Sequence, residues 1–64
     1  MQIDTDKIKQ IMKKRNLTAY DLSLAMGKRE SWVYSVLAGT TGKTFKTVES
    51  FADALNVNPK SIIR

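Results

Sequence analysis

Asn16, Gly27, Gly39 and Asn56 punctuate this chain. Each closes a short piece in which apolar residues recur at helical spacing, and each tolerates the left-handed backbone on which helices commonly end. A stripe at i, i+3 and i+4 is buried by one face of a helix. Helices this short gain little from propensity and are held by packing on one another. The chain is therefore constrained to a set of short helices around one core. It has no strand-like alternation, internal repeat, low-complexity segment or linker.

Asp4 or Thr5 caps the first helix, and Asp4 and Asp6 suit its positive end. Ile8, Ile11 and Met12 make its stripe, while Lys13, Lys14 and Arg15 suit its negative end and solubility. Thr18 opens a second helix, with Asp21 three residues on as a shortened capping box. Leu22, Ala25 and Met26 are its expected buried face. A third helix runs from about Glu30 to Ala38 and stops at Gly39. Thr40 to Thr44 is a loop, with Gly42 available for its turn. Thr44 caps a fourth helix whose expected core side is Phe45, Val48, Phe51, Ala52 and Leu55. Asn58 and Pro59 form a cap with proline at the first helical position, opening a short fifth helix that carries Ile62 and Ile63.

At 64 residues the chain is read as one domain, residues 1–64, with a core so small that each buried side chain matters. There is no Cys for a disulfide and no Cys or His for a zinc site, so neither metal nor cofactor is expected. The same absence removes the common acid–base and nucleophile arrangements, so the expectation is a non-enzyme without a small-molecule substrate. No apolar run approaches the roughly 18 residues that span a bilayer, and the N-terminus lacks the apolar region of a secretory signal. No membrane partner and a cytoplasmic location are therefore expected. Lys and Arg total 11 against 6 for Asp and Glu, a net charge of +5. That excess favours an anionic partner, nucleic acid before a membrane surface.

The centre of the chain, LTAYDLSLAMGKRESWVYSVLAG from Leu17 to Gly39, joins two short helices through a tight turn at Gly27. Ala25 is small, and is expected where the second helix passes close to the third. In the third helix Val33, Val36 and Leu37 share one face, leaving Arg29, Glu30, Ser31, Trp32, Tyr34 and Ser35 directed elsewhere. This stretch resembles the helix-turn-helix of the Cro and phage-repressor type (XRE-like) family, at Leu17, Thr18, Leu22, Ala25–Met26–Gly27, Ser31, Val33, Val36 and Gly39. The resemblance continues through TFKTVESFADALNVNPKSII, where Ala54-Leu55-Asn56-Val57 matches the turn after the family's fourth helix, and it covers about Ile8 to Ile63. It implies an all-α, compact five-helix lambda-repressor-like domain with the helix-turn-helix at helices 2 and 3.

It also implies a function: a sequence-specific double-stranded DNA-binding transcriptional regulator, expected to be a repressor encoded by a bacterium, phage or mobile element. In that family the third helix enters the major groove. The base-contacting candidates carried over are Arg29, Glu30, Ser31, Tyr34 and Ser35. Glu30 is acceptor-only, suited to a cytosine amino group and repelled by phosphate. Arg29 suits a guanine or a phosphate. Ser31 and Ser35 are short enough to read through water, and Tyr34 offers a hydroxyl to phosphate or a ring to a thymine methyl. The phosphate-contacting candidates are Lys28, Trp32, Thr40, Thr41, Lys43, Thr44 and Lys46, aided by the N-terminal end of the fourth helix. A solvated face is the competing role for each lysine. For Trp32 the competing role is packing across the rim of the core, against the second helix.

Two positions depart from the family pattern. A glutamine that often opens the second helix and clamps the backbone is Ala19 here, with Tyr20 the nearest hydroxyl. A buried Arg–Glu pair that often joins the first and third helices is Met12 and Leu37. Losing half such a pair strands a charge, whereas replacing both halves is neutral or stabilising. The implied partner is a duplex operator with two half-sites about one turn apart, and hence a homodimer. Its expected contact is the C-terminal helix with Ile62 and Ile63, and the competing role for both is to cap the monomer core. Two other readings stand beside this one. One is a small helical protein-interaction module anchored by Trp32 and Tyr34; the other is a basic architectural protein without sequence preference. Antitoxin, restriction–modification controller and activator roles also stay open.

Overall fold

The computed structural model describes residues 2–41 and 44–64. Its elements follow the stop residues. Helix α1 is Thr5–Lys14, α2 is Ala19–Met26, α3 is Glu30–Leu37 and α4 is Phe45–Leu55. The last element, Pro59–Ile62, is a single 3-10 turn. The described chain thus has four α-helices and a 3-10 turn where five helices were expected. The reason lies just beyond Ile62. Ile63 is extended and bridges antiparallel to Ile3, so the backbone leaves the turn before an α-helical i to i+4 ladder can form.

Local capping explains most boundaries. The Asp4 carboxylate accepts the Lys7 N–H at 3.1 Å and opens α1. Thr18 and Asp21 form a reciprocal box: the Thr18 hydroxyl accepts the Asp21 N–H at 3.1 Å, and the Asp21 carboxylate accepts the Thr18 N–H at 2.8 Å. Thr44 caps α4, and Asn58 caps the final turn. Asn16 (φ 55°) and Asn56 (φ 56°) take the left-handed conformation expected of stop residues. Gly27 does the same at φ 66°, and a Cβ added there would meet nothing within 4 Å. The requirement at Gly27 is therefore conformational rather than steric.

The core gathers one face of each helix. Ile8, Leu22, Val33, Val36, Val48, Phe51, Leu55 and Ile62 are essentially inaccessible, and Phe51 is the largest of them. Met12 and Leu37 are both buried, in the same cluster, on two helices that pack together. The buried face of α2 differs from the expected one. Ala19, Leu22 and Ser23 are buried, Met26 is half-buried and Ala25 is exposed. Nearly every residue of α2 is apolar or small, so its periodicity does not select a face. Ser23 is admitted to the interior because its hydroxyl donates to the Tyr20 carbonyl at 2.6 Å. Phe45, expected on the core side, is 46% exposed at the first turn of α4.

Contacts distant in sequence close the domain. The Asp4 N–H donates to the Ile62 carbonyl and the Arg64 N–H to the Gln2 carbonyl, each at 2.8 Å. Arg64 also reaches Asp6 at 3.2 Å and Asp4 at 3.5 Å. Arg15 donates from its guanidinium to the Leu55 carbonyl, satisfying an acceptor at the C-terminal end of α4. Its role is thus more specific than general helix-end charge. Among the described residues, no helix is long and apolar enough to cross a membrane.

Candidate nucleic-acid interface

Helix α3 turns Val33, Val36 and Leu37 into the core. The helical period then leaves the other face free. Arg29, Glu30, Ser31 and Tyr34 are exposed, and Ser35 is half-buried. All five base-contacting candidates lie on α3 or at its N-cap. Neither Arg29 nor Glu30 forms an ion pair among the described residues. Their charges are open to an outside partner. The N-cap of α3 is Arg29, which makes no side-chain cap hydrogen bond, unlike the caps of α1, α2 and α4.

Hydroxyl geometry narrows what the small residues can offer. The Ser35 hydroxyl donates to the Ser31 carbonyl at 3.0 Å, and the Thr40 hydroxyl donates to the Ser35 carbonyl at 3.0 Å. Each has spent its proton and retains lone pairs. Ser35 is thereby an acceptor, suited to an amino group on a base edge. Thr40 must break its internal bond before it can donate to a phosphate. Thr41 is half-buried beside it.

Four of the phosphate-contacting candidates come together from two parts of the chain, and Thr40 and Thr41 do not line the same cleft. Lys28, Trp32, Thr44 and Lys46 line one cleft with Thr47 and Ser50. The cleft lies where the start of α4 meets the start of α3. Along its lining the Thr44 and Thr47 hydroxyls are 3.2 Å apart, and the Thr44 hydroxyl accepts the Thr47 N–H at 3.4 Å. Two ammonium groups, several hydroxyls and a helix N-terminus form a combination that attracts an anion. Lys43 and Gly42 lie outside the described residues.

Trp32 packs across the rim of the core, where its ring meets α4. Its ring stacks on Phe51 with centroids 6.0 Å apart and planes inclined by 20°. The Lys28 ammonium sits 5.4 Å from the centroid of the Trp32 ring. The stack on Phe51 is not readable from local spacing, because it depends on how α3 lies on α4, whereas Lys28 and Trp32 are only four residues apart. Ala19, at the position of the family's glutamine, is buried and carries no polar group. Tyr20 beside it is 55% exposed.

Comparison with known proteins agrees with this geometry. No curated protein matches the sequence. Among solved structures, the chain is similar to the restriction-modification controller protein C.AhdI from Aeromonas hydrophila, at 19% identity and a TM-score of 0.80. The match covers 89% of this chain and 86% of that one, and at this identity it establishes the fold. The family model for the Cro/C1-type helix-turn-helix DNA-binding domain matches residues 7–64, from the first turn of α1 to the last residue. The chain belongs to the Cro/C1-type helix-turn-helix DNA-binding domain family.

Proposed function

We propose that this domain is a sequence-specific transcriptional regulator that lays α3 in the major groove of duplex DNA. The observation that carries the reading is the uncommitted polar face of α3, flanked by a cationic cleft. Arg29, Glu30, Ser31, Tyr34 and Ser35 read base edges. Lys28, Thr44 and Lys46 hold the backbone, Trp32 lines the same cleft, and Thr40, Thr41 and Lys43 are further candidates for phosphate contact. Glu30 gives the face its selectivity: a carboxylate gains nothing from phosphate and is accommodated only where a base edge donates, as cytosine N4 does. The acceptor lone pairs of Ser35 suit the same kind of partner.

Regulation follows from occupancy. Two copies on half-sites about one helical turn apart cover an operator and exclude polymerase from it. This repressing role, in a bacterial or phage setting, is the reading we adopt. Ile62 is fully buried, so a homodimer contact at the C-terminal end draws on half-buried Ile63 and its neighbours. The rival protein-interaction reading loses much of its main anchor, since Trp32 already stacks on Phe51.

A short mixed-sequence duplex, titrated at low salt into isotope-labelled protein, tests the surface assignment. Amide shifts are expected at residues 28–35 and around Thr44 and Lys46. Shifts confined to α1 or to the outer face of α2 would contradict it.

A further inference from the structure

Trp32 makes two contacts that a groove-facing role alone does not require. Side chains join α3 to α4. Trp32 reaches across it to stack on the buried ring of Phe51. The same indole carries the Lys28 ammonium at 5.4 Å. A lysine is a compact charge on a flexible stem. Held over an aromatic face, it is restricted before any ligand arrives. Lys28 is exposed in the turn, yet it joins Lys46 and Thr44 around a single cleft. At position 19, where the resemblance places a glutamine clamp, Ala19 is buried and has nothing to donate.

We propose that Trp32 is a positioning residue. Braced on Phe51, its ring holds the Lys28 ammonium at the cleft, so that Lys28, Lys46 and the Thr44 end of α4 act together on one backbone phosphate of DNA. This assignment rests on the reading of α3 as the base-facing helix. It gives the domain a preset backbone clamp.

The test is a double-mutant cycle on duplex affinity across a salt series, using the whole chain and a short mixed-sequence duplex. Lys28→Ala should lower the log–log salt slope by about 0.9, as expected for one lost phosphate contact. Trp32→Leu should weaken binding about two- to fivefold when Lys28 is present and lower the slope by part of that amount. In the Lys28→Ala background it should have almost no further effect. Trp32→Phe, which keeps an aromatic face, should stay close to the parent. Equal weakening by Trp32→Leu in both backgrounds would leave Trp32 a purely structural role and overturn the proposal. Trp32 is the single tryptophan of the chain, which provides a measurement independent of its replacement. Lys28→Ala should change the indole emission of the free, folded protein, and an unchanged spectrum would overturn the proposed contact. If the parent binds no duplex, the DNA-binding reading fails and this role with it; an additive cycle with a binding parent removes only the role of Trp32.

Discussion

Replacing Leu37 with Glu tests whether an apolar pair closes the seam between the first and third helices. Leu37 is 9% exposed and Met12, in the same cluster, is also 9% exposed. Removing the leucine forfeits roughly 2 kcal/mol of apolar burial. An unpaired carboxylate in that place costs about 3 to 5 kcal/mol more at neutral pH. A domain of this length is stable by roughly 3 to 10 kcal/mol, so Leu37→Glu should lose most of its stability near pH 7. The pH dependence has a definite sign. Burial raises the introduced carboxyl above the roughly 4.3 of a free glutamate. The folded state then binds more protons than the unfolded state between the two values, so stability falls as pH rises through that window. Helical circular dichroism followed through urea unfolding at several pH values is the assay. The midpoint should recover in part on acidification. Met12→Arg combined with Leu37→Glu should restore much of the loss at neutral pH by supplying a partner charge. A single variant whose midpoint equals the parent's, or shows no pH dependence, would refute the packing argument.

Other substitutions probe the remaining joints. Gly27→Ala should cost about 1 kcal/mol through its left-handed backbone alone, since the added methyl meets nothing. That corresponds to a fall of roughly 4 to 8 °C in Tm, and Gly27→Asn should lose less. An equal loss for both would point to a steric cause. Arg15→Met should lower stability by roughly 0.5 to 1 kcal/mol by leaving the Leu55 carbonyl without its donor. Hydrogen exchange should then quicken chiefly at the C-terminal end of α4, and uniform quickening would assign Arg15 a different role. Glu30→Gln, exposed at the first turn of α3, should leave the unfolding midpoint within about 0.5 kcal/mol of the parent while changing base preference at one position per half-site. A changed fold with unchanged preference would reverse that assignment.

Much of the architecture is legible because local rules agree. Thr18 with Asp21, Thr44, and the asparagines at 16 and 56 mark helix ends by hydrogen bonding and left-handed backbone alone. The faces of α3 and α4 follow from Val33, Val36, Val48, Phe51 and Leu55. Where local rules give no decision, tertiary packing decides. Helix α2 is apolar on almost every side, so the choice between Ala25 and Ser23 for the interior falls to its neighbours. Phe45 has the residue type of a core position, but lies at the exposed first turn of α4. The bridge from Ile3 to Ile63 and the bond from Arg15 to Leu55 join residues far apart in sequence and leave no periodic trace. The candidate site divides in the same way. The open face of α3 follows from what its core face uses, whereas the cleft that unites Lys28 with Lys46, and the stack of Trp32 on Phe51, depend on tertiary packing.

Whether α3 reads base sequence is decided by selection from a randomised duplex pool, followed by a salt titration on the recovered sequence. A base-reading α3 should recover a recurring motif, repeated with twofold symmetry about one helical turn apart, whose preference changes at one base when Glu30 is replaced by Gln. Recovery of no motif, with binding that falls steeply with salt for every duplex alike, would contradict it and leave a basic domain that holds phosphates without reading bases.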